Sequence, residues 1–194
     1  MDSRYIINNK IYFTLEEINM KLLIASDIHG SAEYCGKLME AIEREEATKV
    51  LLLGDLLYHG PRNNLPAEYD PKKVAVMLNE IKAKLICVRG NCDSEVDQMM
   101  LDFPVLSDSA MLFAEGMTIY AAHGHHNFPA LEEGDVVVSG HTHIPIDYVK
   151  DGVRYMNPGS VSIPKEDSWH GYMVLENGKF VWKNLEGEIQ NIDK

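Results

Sequence analysis

The chain has little sulfur for crosslinking: its three cysteines, Cys35, Cys87 and Cys92, form no CxxC pair. An odd count at these spacings excludes a disulfide framework and a thiolate zinc site, and it suits a reducing compartment. Long apolar runs are missing too. None approaches the roughly 18 to 20 residues needed to span a bilayer. The opening stretch, MDSRYIINNKIYFTLEEIN, has no continuous apolar segment and does not read as a secretory signal. The expected location is therefore the cytoplasm. Basic residues are scarce, 18 Lys and Arg against 30 Asp and Glu, for a formal net charge of -12. That balance argues against a basic nucleic-acid-binding surface. It leaves room for a small anionic ligand, because bound cations reverse the sign of a site locally.

What is present is ordinary for a globular domain: 194 residues, 45% hydrophobic, 25% charged. One domain over 20–194 is expected, preceded by an appendage over 1–19. Within the appendage, Thr14-Leu-Glu-Glu resembles a capping box leading into a short helix. The appendage is read as a leader or upstream start, with a genuine extension packing on the domain or on a second subunit as the alternative.

The first convincing strand is Leu22 to Ala25, a continuous apolar run of the kind buried on both faces. It ends in Ser26-Asp27-Ile28-His29-Gly30. In an extended backbone Asp27 and His29 would point to the same side. Ser31 is placed to cap a helix to about Glu46, and Lys49 to Leu53 is a second strand ended by Gly54-Asp55. Asp70-Pro71 starts another helix, an N-cap acid followed by proline at the first helical position. Leu85 to Val88 is a third strand, ended by Arg89-Gly90-Asn91-Cys92-Asp93. The order βαβαβ predicts parallel strands with right-handed crossovers.

Later segments read as hairpins around Glu115-Gly116, Asp151-Gly152 and Asn177-Gly178, with a further strand at Asp135 to Ser139. The expected fold is α/β: a two-layer β-sheet sandwich core, parallel strands early and antiparallel pairs late, with helices outside.

Five strand ends carry ligand-type residues: Asp27 and His29, Asp55, Asn91, His123, and His141 with His143. Each alone has a dull explanation, such as a turn-forming Asp or a surface His. Five at one topological position are not accidental. Carboxylates with neutral imidazoles suit borderline divalent ions, and two ions a few ångströms apart need a carboxylate that bridges.

These motifs, Asp27-Ile-His29, Gly54-Asp55, Gly90-Asn91, His123-Gly-His125 and Gly140-His141-Thr-His143, resemble the calcineurin-like metallophosphoesterase superfamily. The resemblance covers essentially 21–165. Within that superfamily, VRGNCDSEVDQM and NPGSVSIPK are similar to the YfcE-type branch of small bacterial phosphodiesterases. The resemblance implies two divalent metal ions, manganese first and iron, nickel, zinc or magnesium as alternatives. It implies Asp27, His29 and His143 on one ion, Asn91, His123 and His141 on the other, and Asp55 bridging. Either His123 or His125 could be the ligand of its run; His123 is taken because it follows its strand directly.

One position departs from the wider superfamily. Many members carry a histidine after the asparagine, to stabilise or protonate the leaving group, and here Cys92 stands there. A thiol is poorly suited to protonating a basic alkoxide, which favours a good leaving group or a substitute acid such as His125 or His59. Asp93 is expected to orient its loop or a neighbouring imidazole. His59, Arg62, Asn63 and Arg89 are candidate phosphate contacts, and Ser160 a candidate substrate contact in an otherwise structural turn. The implied function is hydrolysis of phosphodiester bonds in a small or nucleotide-like substrate by metal-activated hydroxide. Alternatives are phosphomonoester hydrolysis on the same core, a regulatory protein that binds a phosphorylated ligand without turnover, and a scaffold like the retromer subunit of this fold. The scaffold reading predicts lost ligands. Homo-oligomerisation, as a dimer or tetramer, is left open.

Overall fold

The computed structural model describes residues 3–7, 10–14 and 21–192. Strands β1 (Ser3–Ile7) and β2 (Lys10–Thr14) form an antiparallel hairpin. Thr14 thus ends a strand where a helix start was expected, and residues 15–17 of that expected helix lie outside the described residues.

The body begins with β3 (Leu22–Ala25), α1 (Ala32–Arg44), β4 (Lys49–Leu52), α2 (Pro71–Glu80) and β5 (Leu85–Cys87). The three strands pair in parallel, β3 with β4 and β4 with β5. Both helices start where the caps predict. The Ser31 side chain accepts from Tyr34 N at 3.3 Å, and the Asp70 carboxylate from Lys73 N at 3.1 Å. A short α3 (Glu95–Gln98) follows.

The rest is strand: β6 (Ser109–Ala114), β7 (Met117–Ala122), β8 (Val136–Val138), β9 (Ile146–Lys150), β10 (Val153–Asn157), β11 (Gly171–Glu176), β12 (Lys179–Asn184) and β13 (Ile189–Gln190). One sheet runs β13-β12-β11-β3-β4-β5, the other β6-β7-β8-β10-β9.

Alternation along β3 explains why it is buried on both faces. Leu22 and Ile24 pack with Ile119, Val136, Val138 and Met156 of the second sheet, and Leu23 and Ala25 pack with Leu38 and Ile42 of α1 and Val74 and Leu78 of α2. The sandwich with outer helices is therefore as expected. One strand departs from the antiparallel pattern. β8 lies parallel to both β7 and β10, among hairpins that pair antiparallel as expected. The long connection 123–135, and the loop plus β9 after β8, return the chain to the same end each time, as parallel pairing requires. This pairing matters for the site. It brings the carboxyl ends of β7 and β8 to the same edge, as parallel pairing does for β3, β4 and β5.

Candidate metal centre

The residues that converge at this edge sit in unusual backbone. Asp27, His29, Asp55, His141 and His143 have φ of 59°, 49°, 55°, 68° and 64°. This left-handed region costs roughly 1–2 kcal/mol for a residue with a Cβ, so the surroundings must enforce it. Asp27 and His29 therefore do not converge by the period-2 geometry of a strand, since β3 stops at Ala25. They converge because the loop is wound left-handed and laced to its neighbour. Asp27 N donates to Gly54 O at 3.1 Å and His29 N to Asp55 O at 2.9 Å.

Two groups of donor atoms result. In the first, His143 Nε2 lies 3.1 Å and His29 Nε2 3.4 Å from Asp27 Oδ1, and the two nitrogens are 3.2 Å apart. In the second, His123 Nε2 lies 3.2 Å from Asn91 Oδ1 and 3.4 Å from Asp55 Oδ2. Asp55 Oδ2 is also 3.7 Å from His29 Nε2, so this one oxygen stands between the groups. His141 stands at their edge. Its ring centroid is 5.1 Å from that of His123, and its backbone N–H donates to Asp27 Oδ2 at 3.0 Å.

The imidazoles are held in one tautomer. Nδ1–H donates to a backbone carbonyl in each case: His29 to Tyr58 at 2.8 Å, His123 to Leu53 at 2.6 Å, His143 to Ile163 at 2.6 Å. A carbonyl can only accept, so neutral rings turn bare Nε2 lone pairs inward. Asp27 is arranged likewise. Its Oδ2 accepts from Ser26 Oγ at 2.6 Å and from His141 N, whereas its fully buried Oδ1 has no hydrogen-bond partner. Two imidazole lone pairs and a carboxylate oxygen thus face one another in a buried space, with no donor among them. Such a cluster calls for a cation, and the donor set fits divalent metal ions. Without one, protons take that place. Burial opposes the charged form of His123, but the Asp55 and Asp27 carboxylates outweigh it and push the imidazole up to about 9. Burial also opposes ionisation of Asp27, yet the surrounding histidines hold its carboxyl well below the usual range.

Residues around the cluster fix its shape. The Asp93 carboxylate is buried and accepts three backbone N–H groups, from Asp55 and Gly90 at 2.8 Å and Leu56 at 2.9 Å. It orients loops, not an imidazole, and touches none of the inward-facing donor atoms by hydrogen bond. Gly90 and Gly140 are required by close approach. A Cβ on Gly90 would fall on Asp55 Oδ1 and N, and one on Gly140 on Ser26 Oγ. Asn157 ties down the loop carrying His141 and His143, donating to Gly140 O at 2.7 Å and Thr142 Oγ1 at 3.1 Å. Ser160 is fully buried and donates to Asp27 O at 2.9 Å, so it supports the loop and cannot meet a substrate.

A cleft of about 440 Å³ opens over the cluster, and Arg62, Asn63, Thr142 and Lys165 line it together with Asp55, Asn91, Cys92, His141 and His143. Arg62 and Asn63, two of the four candidate phosphate contacts, thus line this cleft. The other two candidates are elsewhere. The His59 ring packs edge-on against Tyr58 and Tyr69 at 4.7 and 5.2 Å, and does not line the cleft. Arg89 donates to Asp93 O at 3.2 Å and borders a neighbouring depression with His125 and His126. Lys165, the last residue of the NPGSVSIPK stretch, was not among the candidate phosphate contacts. His125 has its ring 5.4 Å from that of His123, and burial together with His123 lowers its basicity. Cys92 donates its backbone N–H to Asp55 Oδ1 at 2.8 Å, and burial with the adjacent Asp55 pushes its thiol well up, so it stays protonated.

Residues 20–179 match the family described as the calcineurin-like phosphoesterase superfamily domain. The chain belongs to this superfamily. It is 47% identical over 162 residues to phosphodiesterase YfcE of Escherichia coli K12, covering 81% of this chain and 88% of that one. A solved structure of the E. coli YfcE phosphoesterase superposes with a TM-score of 0.84 at 44% identity, covering 88% of this chain and 96% of that one. Vps29 of Entamoeba histolytica shares the fold alone, with a TM-score of 0.57 at 20% identity over 81% of this chain and 86% of that one. For a member of this superfamily, the fold admits both enzymes and sorting proteins, so function must be argued from the donor atoms.

Proposed function

We propose that this chain is a metal-dependent phosphodiesterase acting on a small phosphorylated substrate. Asp27, His29 and His143 hold one divalent ion, Asn91, His123 and His141 a second, and the Asp55 carboxylate is shared. The observation that carries this reading is the acceptor-only face of the cluster, with Asp27 Oδ1 buried and unpartnered against two imidazole nitrogens. Divalent ions supply Lewis acidity there, activating water at neutral pH and neutralising phosphoryl charge; manganese is the first candidate. The chain's own residues supply placement. Arg62 and Lys165 line the same cleft as the donors and supply cationic groups for phosphoryl oxygens, Arg62 as a bidentate partner. His125, kept neutral at physiological pH by burial and its neighbours, is available as a proton carrier beside the second group. Every ligand the scaffold reading expects to be lost is present, which favours catalysis. A cytoplasmic setting accords with three unpaired cysteines.

The test is hydrolysis of a generic aryl phosphodiester and the matching monoester, after chelator treatment and resupply of Mn²⁺. Metal-restored cleavage with the diester preferred supports the reading. A monoester preference would replace it with the phosphomonoesterase alternative, and no turnover despite bound metal would sink it. The thiol allows a separate check. An aryloxide leaves without needing a proton, so Cys92→Ala is expected to retain aryl diester hydrolysis within about fivefold. A drop of two orders of magnitude in kcat would instead assign the thiol a part in the chemistry.

A further inference from the structure

We infer that an apolar annex beside the phosphoryl cleft binds one ester substituent of the substrate, and that this substituent is a planar aromatic group. The inference rests on the phosphoester reading above and adds the chemistry of the substrate's arm.

The annex is a groove of about 450 Å³ that shares Cys92 with the cleft. Leu57, Tyr58, Tyr69, Val96 and Met100 line it, with Lys72, Ser94 and Asp97 also along its wall. Cys92 borders both the annex and the cleft, so the two adjoin at one side chain. That side chain is close to the chemistry. Its sulfur lies within 4.8 Å of ligand-type atoms of both His29 and Asp55. A phosphorus atom seated at the cluster would therefore have an ester arm within reach of the annex.

Three features favour an aromatic arm. The apolar lining is two tyrosines with Leu57, Val96 and the flexible Met100, a surface suited to stacking and to a flat apolar body. Large apolar groups stay exposed at its mouth, Tyr58 at 41%, Met100 at 45% and Val96 at 67%. Three such residues gathered beside a polar site are more than the scattered apolar surface a soluble chain carries anyway. The annex is also held in register with the cluster. The Tyr58 carbonyl fixes the His29 ring, while the Tyr58 side chain borders the annex. A thiol at position 92 completes the wall with a small apolar group where an imidazole would protrude.

The experiment uses the full chain loaded with Mn²⁺ and two non-hydrolysable probes, phenylphosphonate and methylphosphonate, with dissociation constants from calorimetry. Phenylphosphonate is expected to bind roughly tenfold tighter than methylphosphonate, from burial of one ring face. Val96→Ser and Met100→Ser alter exposed positions that make no contact with the cluster. They are expected to bring the ratio close to one while methylphosphonate affinity and metal content stay unchanged. Equal affinities in the unaltered chain, or a ratio that survives both substitutions, would overturn the annex and leave the phosphoester site standing. Failure of the metal-loaded chain to bind either phosphonate would overturn both.

Discussion

Asp55→Asn is expected to lower kcat for aryl diester hydrolysis by on the order of 10³-fold or more. The residue is isosteric, so the effect isolates charge and lone pairs. Asp55 Oδ1 accepts from Cys92 N, and Oδ2 stands 3.4 Å from His123 Nε2 and 3.7 Å from His29 Nε2. An amide keeps one oxygen. If that oxygen keeps the Cys92 hydrogen bond, the NH₂ group turns a donor toward two sites built for cations. If the amide flips, it sets a donor against the Cys92 N–H. Either way the shared position loses its negative charge. Metal analysis should show occupancy falling toward one ion per chain. Full activity with two ions bound would remove Asp55 from the shared role.

Asp93→Ala is the second large effect, and it falls on stability as much as on activity. Three buried backbone N–H groups, of Asp55, Leu56 and Gly90, converge on this carboxylate. Removing it leaves them without a partner in a space too closely packed for a backbone shift, since Gly90 already abuts Asp55. Leaving a buried donor unpaired costs about 1–3 kcal/mol, so a loss of roughly 3 kcal/mol or more is expected. Thermal denaturation should show a fall of roughly 10 °C for a domain of this size. Metal affinity should drop with it, because the Asp55 loop loses its anchor. Asp93→Asn should fall between, keeping one acceptor oxygen and turning an NH₂ group toward an N–H. A melting temperature unchanged in Asp93→Ala would show that the three N–H groups find other partners.

Much of the fold was legible because its signals are local. The continuous run Leu22 to Ala25, the Ser31 and Asp70 caps and the turns at Asp151-Gly152 and Asn177-Gly178 each act within a few residues. The turn pairs have φ of 52° and 78°, and of 51° and 72°, the left-handed pair that these residue types tolerate. The parallel placement of β8 was not legible. Strand direction depends on where a long connection takes the chain, and no short-range preference records that. The metal-ligand candidates were legible for a different reason. They follow strand ends, where glycine, aspartate and histidine stand out against apolar runs. The means of convergence was not legible, because extended geometry stops at Ala25, two residues before Asp27 and four before His29.

Sequence by itself determined the class of chemistry: oxygen and imidazole donors in excess, no thiolate set, five strand ends and parallel crossovers to gather them. Tertiary structure decided which atoms of those donors face each other, through carbonyls of Leu53, Tyr58 and Ile163 that set three imidazole tautomers. It also decided that Arg62 and Lys165 border the cleft while His59 and Arg89 do not. Residue identity and spacing act along the chain. Which lone pair is left bare depends on partners brought from 20 to 70 positions away, and only folding supplies them.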